Sequence, residues 1–315
     1  MSSEKFNATM INIDGIPVVK LDSVELFDVR RVFDCGQCFR FDPVTASRHE
    51  VEFAGCAHQR YVSFAQDGDT VYIYNATLED FHDVWCRFLG LDRDYGEINR
   101  SILALSQNPT LADAVSTASG IRILKQDEWE SICSFIISQN NNIPRIKKLV
   151  AALCERCGDR IDVSGMQSHV ADAHKNAELC VYSFPTPDKV AALGIDELAA
   201  LKVGFRAKYI LDAAEKMSGG EIDLSALTSL SDTAQCVKQL CAVKGIGPKV
   251  ASCALLFGFA RLDAFPIDVW IKRVMAKYFD EDFDPATLGA YAGIAQQYLF
   301  YYERYLVSEQ KEDVT

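Results

Sequence analysis

The segment KGIGPKVASC, residues 244–253, concentrates the residues with the most chemistry to offer. Its glycines make a tight turn whose backbone can approach another molecule closely. Pro248 suits the first position of a following helix. The amides of Gly245, Gly247, Lys249 and Val250 then point outward at a helix N-terminus, a place fit for a phosphate. The plain alternative is a helical hairpin with a glycine turn. Lys249 falls in the first helical turn, where the positive end of the helix dipole disfavours an ammonium. A neutral lysine amine is a nucleophile that can form a Schiff base. Cys253 stands at i+4 from Lys249 and shares its face. In AFPIDVWIKRV, residues 264–274, Asp268 can cap the next helix or orient and assist the lysine chemistry.

Two cysteine pairs compete for attention. Cys35 and Cys38 in FDCGQCFRF have redox spacing. A thioredoxin-type pair, however, follows a strand and opens a helix that lowers the thiol pKa. Here CFRF alternates like a strand, so two small residues around a glycine turn is the plainer account. Cys154 and Cys157 with His169 and His174 give C-x2-C-x11-H-x4-H, close to zinc-finger spacing. But LVAALCERCGDRI reads as a helix end with Gly158 as its cap, and GDRIDVSGMQS lacks the aromatic and leucine of a finger core. Solvated histidines in a loop insertion at about 162–180 are expected instead. No Cys lies beyond Cys253, which argues against a C-terminal four-Cys iron–sulfur cluster.

The elements that must position these residues divide the chain in two. TMINIDGIPVVKL, QCFRF and the two β-rich runs joined by QDGD in residues 51–75 read as antiparallel strands. From about residue 78 the period turns helical: LEDFHDVWCRFLGL places Phe81, Val84, Trp85, Phe88 and Leu89 on one face. Helices are expected at about 98–106, 110–117, 126–138, 143–156, 187–192, 196–201, 206–217, 232–242, 248–259, 269–279 and 287–305. The expected fold is α+β, with an N-terminal antiparallel-sheet domain over 1–112 and a helical domain over 113–315. A helix–hairpin–helix falls at about 232–259.

The net charge of −12 over 315 residues opposes a nucleic-acid partner in bulk. Locally the balance reverses. Residues 140–150 carry Arg145, Lys147 and Lys148 with no acid, and 244–261 carry Lys244, Lys249 and Arg261 with no acid. Eleven scattered cysteines, an odd number, point to reduced thiols and an intracellular, non-secreted protein. MSSEKFNATM has no signal-peptide character, and no long apolar run suggests a membrane span.

The hairpin, Lys249 and Pro266–Asp268 resemble the helix–hairpin–helix Gly/Pro/Asp DNA glycosylase superfamily. The blocks CGQCFRF, GIRILKQDEWESICSFIISQNNNIPRIKKLV, GFRAKYI and AGIAQQYLF stand in the order found in the 8-oxoguanine DNA glycosylase/lyase family. The resemblance runs from about residue 20 to 305. It implies a TBP-like N-terminal sheet domain and base-excision repair of 8-oxoguanine opposite cytosine in duplex DNA. Lys249 would attack C1′ as the base leaves, and β-elimination from the Schiff base would nick the strand. Asp268 would support the cationic sugar. Gly36 would accept N7–H of the flipped base, Cys253 and Phe300 would sandwich it, and Gln296 would read its pairing edge. Asn140, Arg145 and Arg206 would read the orphaned cytosine, with Phe205 as the wedge. The carbonyls of Cys241, Val243 and Ile246 would hold a structural cation; no redox cofactor, catalytic metal or iron–sulfur cluster is implied. Trp270 departs from the animal members, which carry His there. A monomer acting on double-stranded DNA is expected. Two alternatives remain: a related glycosylase for another damaged base, and a non-catalytic helix–hairpin–helix module, which would need neither Lys249 nor Asp268.

Overall fold

The computed structural model describes the backbone of residues 7–173 and 181–312, and their side chains except Val170 and 305–312. His174 and Cys180 lie outside the described residues. Six strands, β1 (Asn7–Ile13), β2 (Ile16–Asp22), β3 (Phe41–Pro43), β4 (Val51–Ala57), β5 (Arg60–Asp67) and β6 (Thr70–Tyr74), form one antiparallel sheet. Their spatial order is β1-β2-β6-β5-β4-β3. Asp14 and Gly15 turn β1 into β2 with φ of 53° and 86°, as a two-residue hairpin of matching twist requires.

The strand reading needs three corrections. Residues 51–75 hold three strands, because His58 and Gln59 (φ 49° and 64°) make a turn that neither side chain advertises. QCFRF pairs only from Phe41. Val29–Asp34 is a helix, capped by Asp28, whose carboxylate accepts from Arg31 N at 2.9 Å.

The sheet is buried on both faces. Phe53, Phe64, Val71 and Ile73 pack inward with Phe33, Trp85 and Phe88. On the other face Val18, Ala65 and Tyr74 meet Val163 and Met166 of the insertion. This double burial explains why β5 lacks clean alternation. The insertion is also pinned by polar bonds: His169 Nε2 lies 3.1 Å from Glu52 Oε1, and Asp172 accepts from Thr45 Oγ1 and Ala46 N.

The helical part encloses a larger core that Cys35 and Phe39 also enter. Helices lie at Tyr95–Leu105, Pro109–Thr117, Glu128–Ser138, Ile143–Cys157, Pro187–Ala200, Ala207–Ser218, Thr233–Leu240, Pro248–Gly258, Val269–Tyr278 and Ala292–Glu312. The expected break between 192 and 196 is a kink at Gly194, φ 69°. Leu224–Ser229 adds a short helix that the pattern did not disclose. Gly293 seats the last helix: its N–H donates to Leu262 O at 2.7 Å, and an added Cβ would lie 2.4 Å from Ala264 O. That close approach brings Gln296 beside the loop leading to Asp268. Among the described residues no helix is long and apolar enough to cross a membrane.

Candidate active site

The hairpin forms as its sequence dictates. Asp232 caps the helix Thr233–Leu240, accepting from Ala234 N at 2.8 Å, and Pro248 opens the next helix with Gly247 as N-cap. Gly245 (φ 80°) presses on Tyr209, whose ring carbon would lie 2.3 Å from an added Cβ. Gly247 differs. Its backbone is extended (φ −98°), and an added Cβ would meet nothing within 4 Å. The protein's own packing does not require glycine there. The amides of Lys249 and Val250 fall in the first turn, where no intrahelical acceptor exists.

Beneath the hairpin lies a cavity of about 440 Å³, reached by Gly36, Lys249, Cys253, Asp268, Gln296 and Phe300. Lys249 and Asp268 thus meet in one space from two different helix starts. Lys249 Nζ lies 6.0 Å from the centroid of the Phe135 ring. Asp268 also performs the plain role considered for it: Oδ1 accepts from Ile271 N at 2.8 Å, capping Val269–Tyr278. Capping fixes the carboxylate at the cavity rim, so the two roles support each other. Burial pushes the Cys253 thiol up to about 11; Lys249 opposes that shift and Asp268 adds to it. The side chain therefore serves as a neutral apolar wall at ordinary pH.

Gly36 sits at φ 84°, which an L side chain rarely adopts, and its turn is clamped by a neighbour that the sequence reading passed over. Gln37 is fully buried. Its amide donates to Val32 O and Arg122 O at 2.9 Å and accepts from Leu124 N, while its carbonyl accepts from Gln126. Gln297 donates to Cys35 O at 3.1 Å from the other side. Gln296, 4% exposed, carries a buried Oε1 with no hydrogen-bond partner. Phe300, one turn later, lines the cavity while packing on the helical core. Trp270 also lines it, with the Arg273 guanidinium 5.4 Å above its ring.

A second cluster forms nearby. Asn140 is exposed at φ 48°, a conformation asparagine tolerates. Arg206, 5% exposed, donates to Gln139 O at 2.9 Å, Asn140 O at 3.1 Å and Val203 O at 3.1 Å. Its guanidinium lies 4.5 Å over the ring of Phe205, which is 50% exposed. Burial, then the charge of Arg145, holds the Arg206 pKa below its ordinary value. In this state Arg206 braces the Asn140 loop and the exposed aromatic.

The cysteine pairs settle plainly. Cys35 and Cys38 are free and buried, and burial raises both thiols, Cys35 to about 12. The pair follows a helix rather than opening one, so no thiolate is favoured. Cys154 is buried in the core, while His169 reaches the sheet's Glu52 and is not solvated. Among the described residues no group of three His, Cys, Asp or Glu side chains is placed to share a metal ion.

A nucleophilic amine, a carboxylate at a helix start, an unmatched amide acceptor and a left-handed glycine around one cavity suit attack on a bound, partly planar substrate. Comparisons agree with that chemistry. Residues 18–132 match the family model "8-oxoguanine DNA glycosylase, N-terminal domain". Residues 133–287 match "HhH-GPD superfamily base excision DNA repair protein". The Arabidopsis thaliana N-glycosylase/DNA lyase OGG1 is 27% identical, covering 90% of this chain and 78% of that protein. The solved structure of MBOgg1 with a low affinity DNA ligand is 36% identical, with a TM-score of 0.82 over 96% of this chain and 99% of that one. The Clostridium acetobutylicum 8-oxoguanine glycosylase/lyase, solved with double-stranded DNA containing cytosine opposite 8-oxoG, is also 36% identical. Its TM-score is 0.78 over 94% of this chain and 97% of that chain.

Proposed function

The chain belongs to the 8-oxoguanine DNA glycosylase family of the HhH-GPD superfamily, and on that premise we propose that it excises 8-oxoguanine opposite cytosine and nicks the resulting abasic strand. The observation that carries the substrate reading is that Gln296, whose amide oxygen is buried and unpartnered, and the Gly36 turn line the cavity that holds Lys249. A flipped 8-oxoguanine offers N1–H and its amino group to Gln296 and N7–H to the Gly36 carbonyl. Normal guanine has a lone pair at N7 and would oppose that carbonyl, a difference of about 1–3 kcal/mol.

Lys249 forms a bond to C1′ as the base departs, and the ring-opened Schiff base then permits β-elimination. Asp268, fixed by its capping bond, stabilises the cationic sugar. Asn140, Arg145 and Arg206 take the orphaned cytosine, with Phe205 as the wedge. Arg206 must then exchange carbonyls of its own loop for the base, which ties wedge insertion to cytosine reading. The carbonyls of Cys241, Val243 and Ile246 suit a structural cation set against a DNA phosphate. Val243 O already accepts from Ile246 N at 3.1 Å, and a carbonyl keeps a second acceptor position.

Incubation with duplex bearing 8-oxoguanine opposite cytosine tests the reading. The expected products are free 8-oxoguanine and a strand cut at the lesion, with undamaged duplex intact. Base release without a nick would make the enzyme monofunctional. Neither product would remove the reading and leave a DNA-binding module.

Gly247 offers a separate check. Since an alanine methyl there meets only open space, Gly247→Ala should unfold at the wild-type temperature. It should nonetheless bind lesion duplex about tenfold more weakly, the size of one hydrogen bond to a charged group. Thermal unfolding beside a fluorescence titration measures both, and unchanged affinity would show that no phosphate approaches this turn.

A further inference from the structure

Arg304 lines the cavity and makes no hydrogen bond or ion pair with another described residue. It extends a stripe: Gln296, Phe300 and Arg304 stand at i, i+4 and i+8 on the helix Ala292–Glu312. The outer two Cα atoms are therefore about 12 Å apart along the axis, with Phe300 between them. Helical side chains lean toward the N-terminus, which carries the guanidinium back over Phe300. It arrives beside Gly36: a Cβ placed on that glycine would lie 3.9 Å from Arg304 Nη1.

A purine resting on Phe300 with its pairing edge toward Gln296 turns its imidazole edge toward Gly36 and Arg304. On 8-oxoguanine that edge carries N7–H, which suits the Gly36 carbonyl, and next to it O8, which needs a donor. Arg304 is the cationic donor adjacent to Gly36. We propose that Arg304 donates to O8 of the flipped base and carries part of its negative charge as it leaves; this rests on the excision reading above. The electron balance explains the benefit. The Lys249 lone pair forms the bond to C1′, and the C1′–N9 pair departs with the base. That pair delocalises from N9 through C8 onto O8. A proton lost from the alkylated amine later neutralises the base. A cation at O8 is worth more at this moment than in the ground state.

Arg304→Met keeps an unbranched stem and removes the charge, while Arg304→Lys restores a cation. Single-turnover excision from 8-oxoguanine:cytosine duplex should fall about 100-fold in Arg304→Met, the loss typical of one oxyanion donor. Arg304→Lys should recover part of it. On duplex with a preformed abasic site no base occupies the pocket, so Arg304→Met should nick and be trapped by borohydride at the wild-type rate. Excision by Arg304→Met at the wild-type rate would overturn the proposal while leaving the glycosylase reading intact. An equal loss on both substrates would also overturn it, placing Arg304 on the DNA backbone. A wild-type protein that releases no 8-oxoguanine would instead remove the reading beneath it.

Discussion

Borohydride added to wild-type protein and duplex containing 8-oxoguanine opposite cytosine gives a covalent protein–DNA adduct, and Lys249→Gln gives none. The Schiff base needs an amine, and an amide nitrogen has no available lone pair to supply one. Excision should fall by at least about 10⁴-fold, the scale on which removing a catalytic nucleophile or its partner is felt. The fold should not suffer. Lys249 is half-buried at a helix start, and its nearest aromatic contact is a distant one at 6.0 Å from Phe135. Thermal unfolding should therefore move little, within about 0.5 kcal/mol in stability. Among the described residues the cavity also holds Cys253, but its thiol, raised to about 11 by burial, is a poor substitute nucleophile. An adduct that survives in Lys249→Gln would show that another amine performs the attack. Base release by wild type with no adduct would make water the nucleophile and Asp268 the residue that activates it.

The parts of this site that were legible in the sequence are those fixed by local rules. A glycine turn, a proline at a helix start and an aspartate one residue before a helix each declare their geometry within a few positions. Lys249 and Asp268 were therefore placed correctly on their elements, and the cavity brings them together. What stayed hidden depends on contacts across the fold. Gln37 looks like any polar residue in a turn, yet its bonds reach Arg122 and Leu124, 85 and 87 positions away. Gln297 reaches Cys35 over 262 positions. No local pattern encodes either. The Val29–Asp34 helix was missed because six residues carry too little periodicity. The His58–Gln59 turn was missed because the pair holds none of the Gly, Asn or Asp residues that usually mark a left-handed hairpin turn. His169 suggested a ligand by spacing, but its partner, Glu52, lies on a strand more than a hundred residues earlier.

Gln296→Met should make the protein more stable and the enzyme much worse. In the unliganded protein the amide oxygen of Gln296 is buried without a partner. Such a group costs about 1–3 kcal/mol, because water's hydrogen bonds are lost and nothing replaces them. Met has nearly the same length and shape and carries no strong acceptor, so it keeps its place in the cavity wall while removing the penalty. Stability should rise by about 1 kcal/mol, or about 2 °C in Tm for a chain of this size. With 8-oxoguanine bound the sign reverses. The base brings N1–H and its amino group to this wall, and a methionine sulfur leaves both donors unmatched in a closed site. Excision should fall about 100-fold, in line with the loss when an apolar pocket wall faces the polar groups of a ligand. The two measurements, differential scanning calorimetry and single-turnover excision, separate the causes. A drop in both would mean that Gln296 is structural and its oxygen has a partner in solution. A rise in stability with full excision would mean that the base is read from elsewhere in the cavity. Only opposite signs fit an acceptor held ready for the substrate, in which the strain of the empty pocket contributes to the selectivity of the filled one.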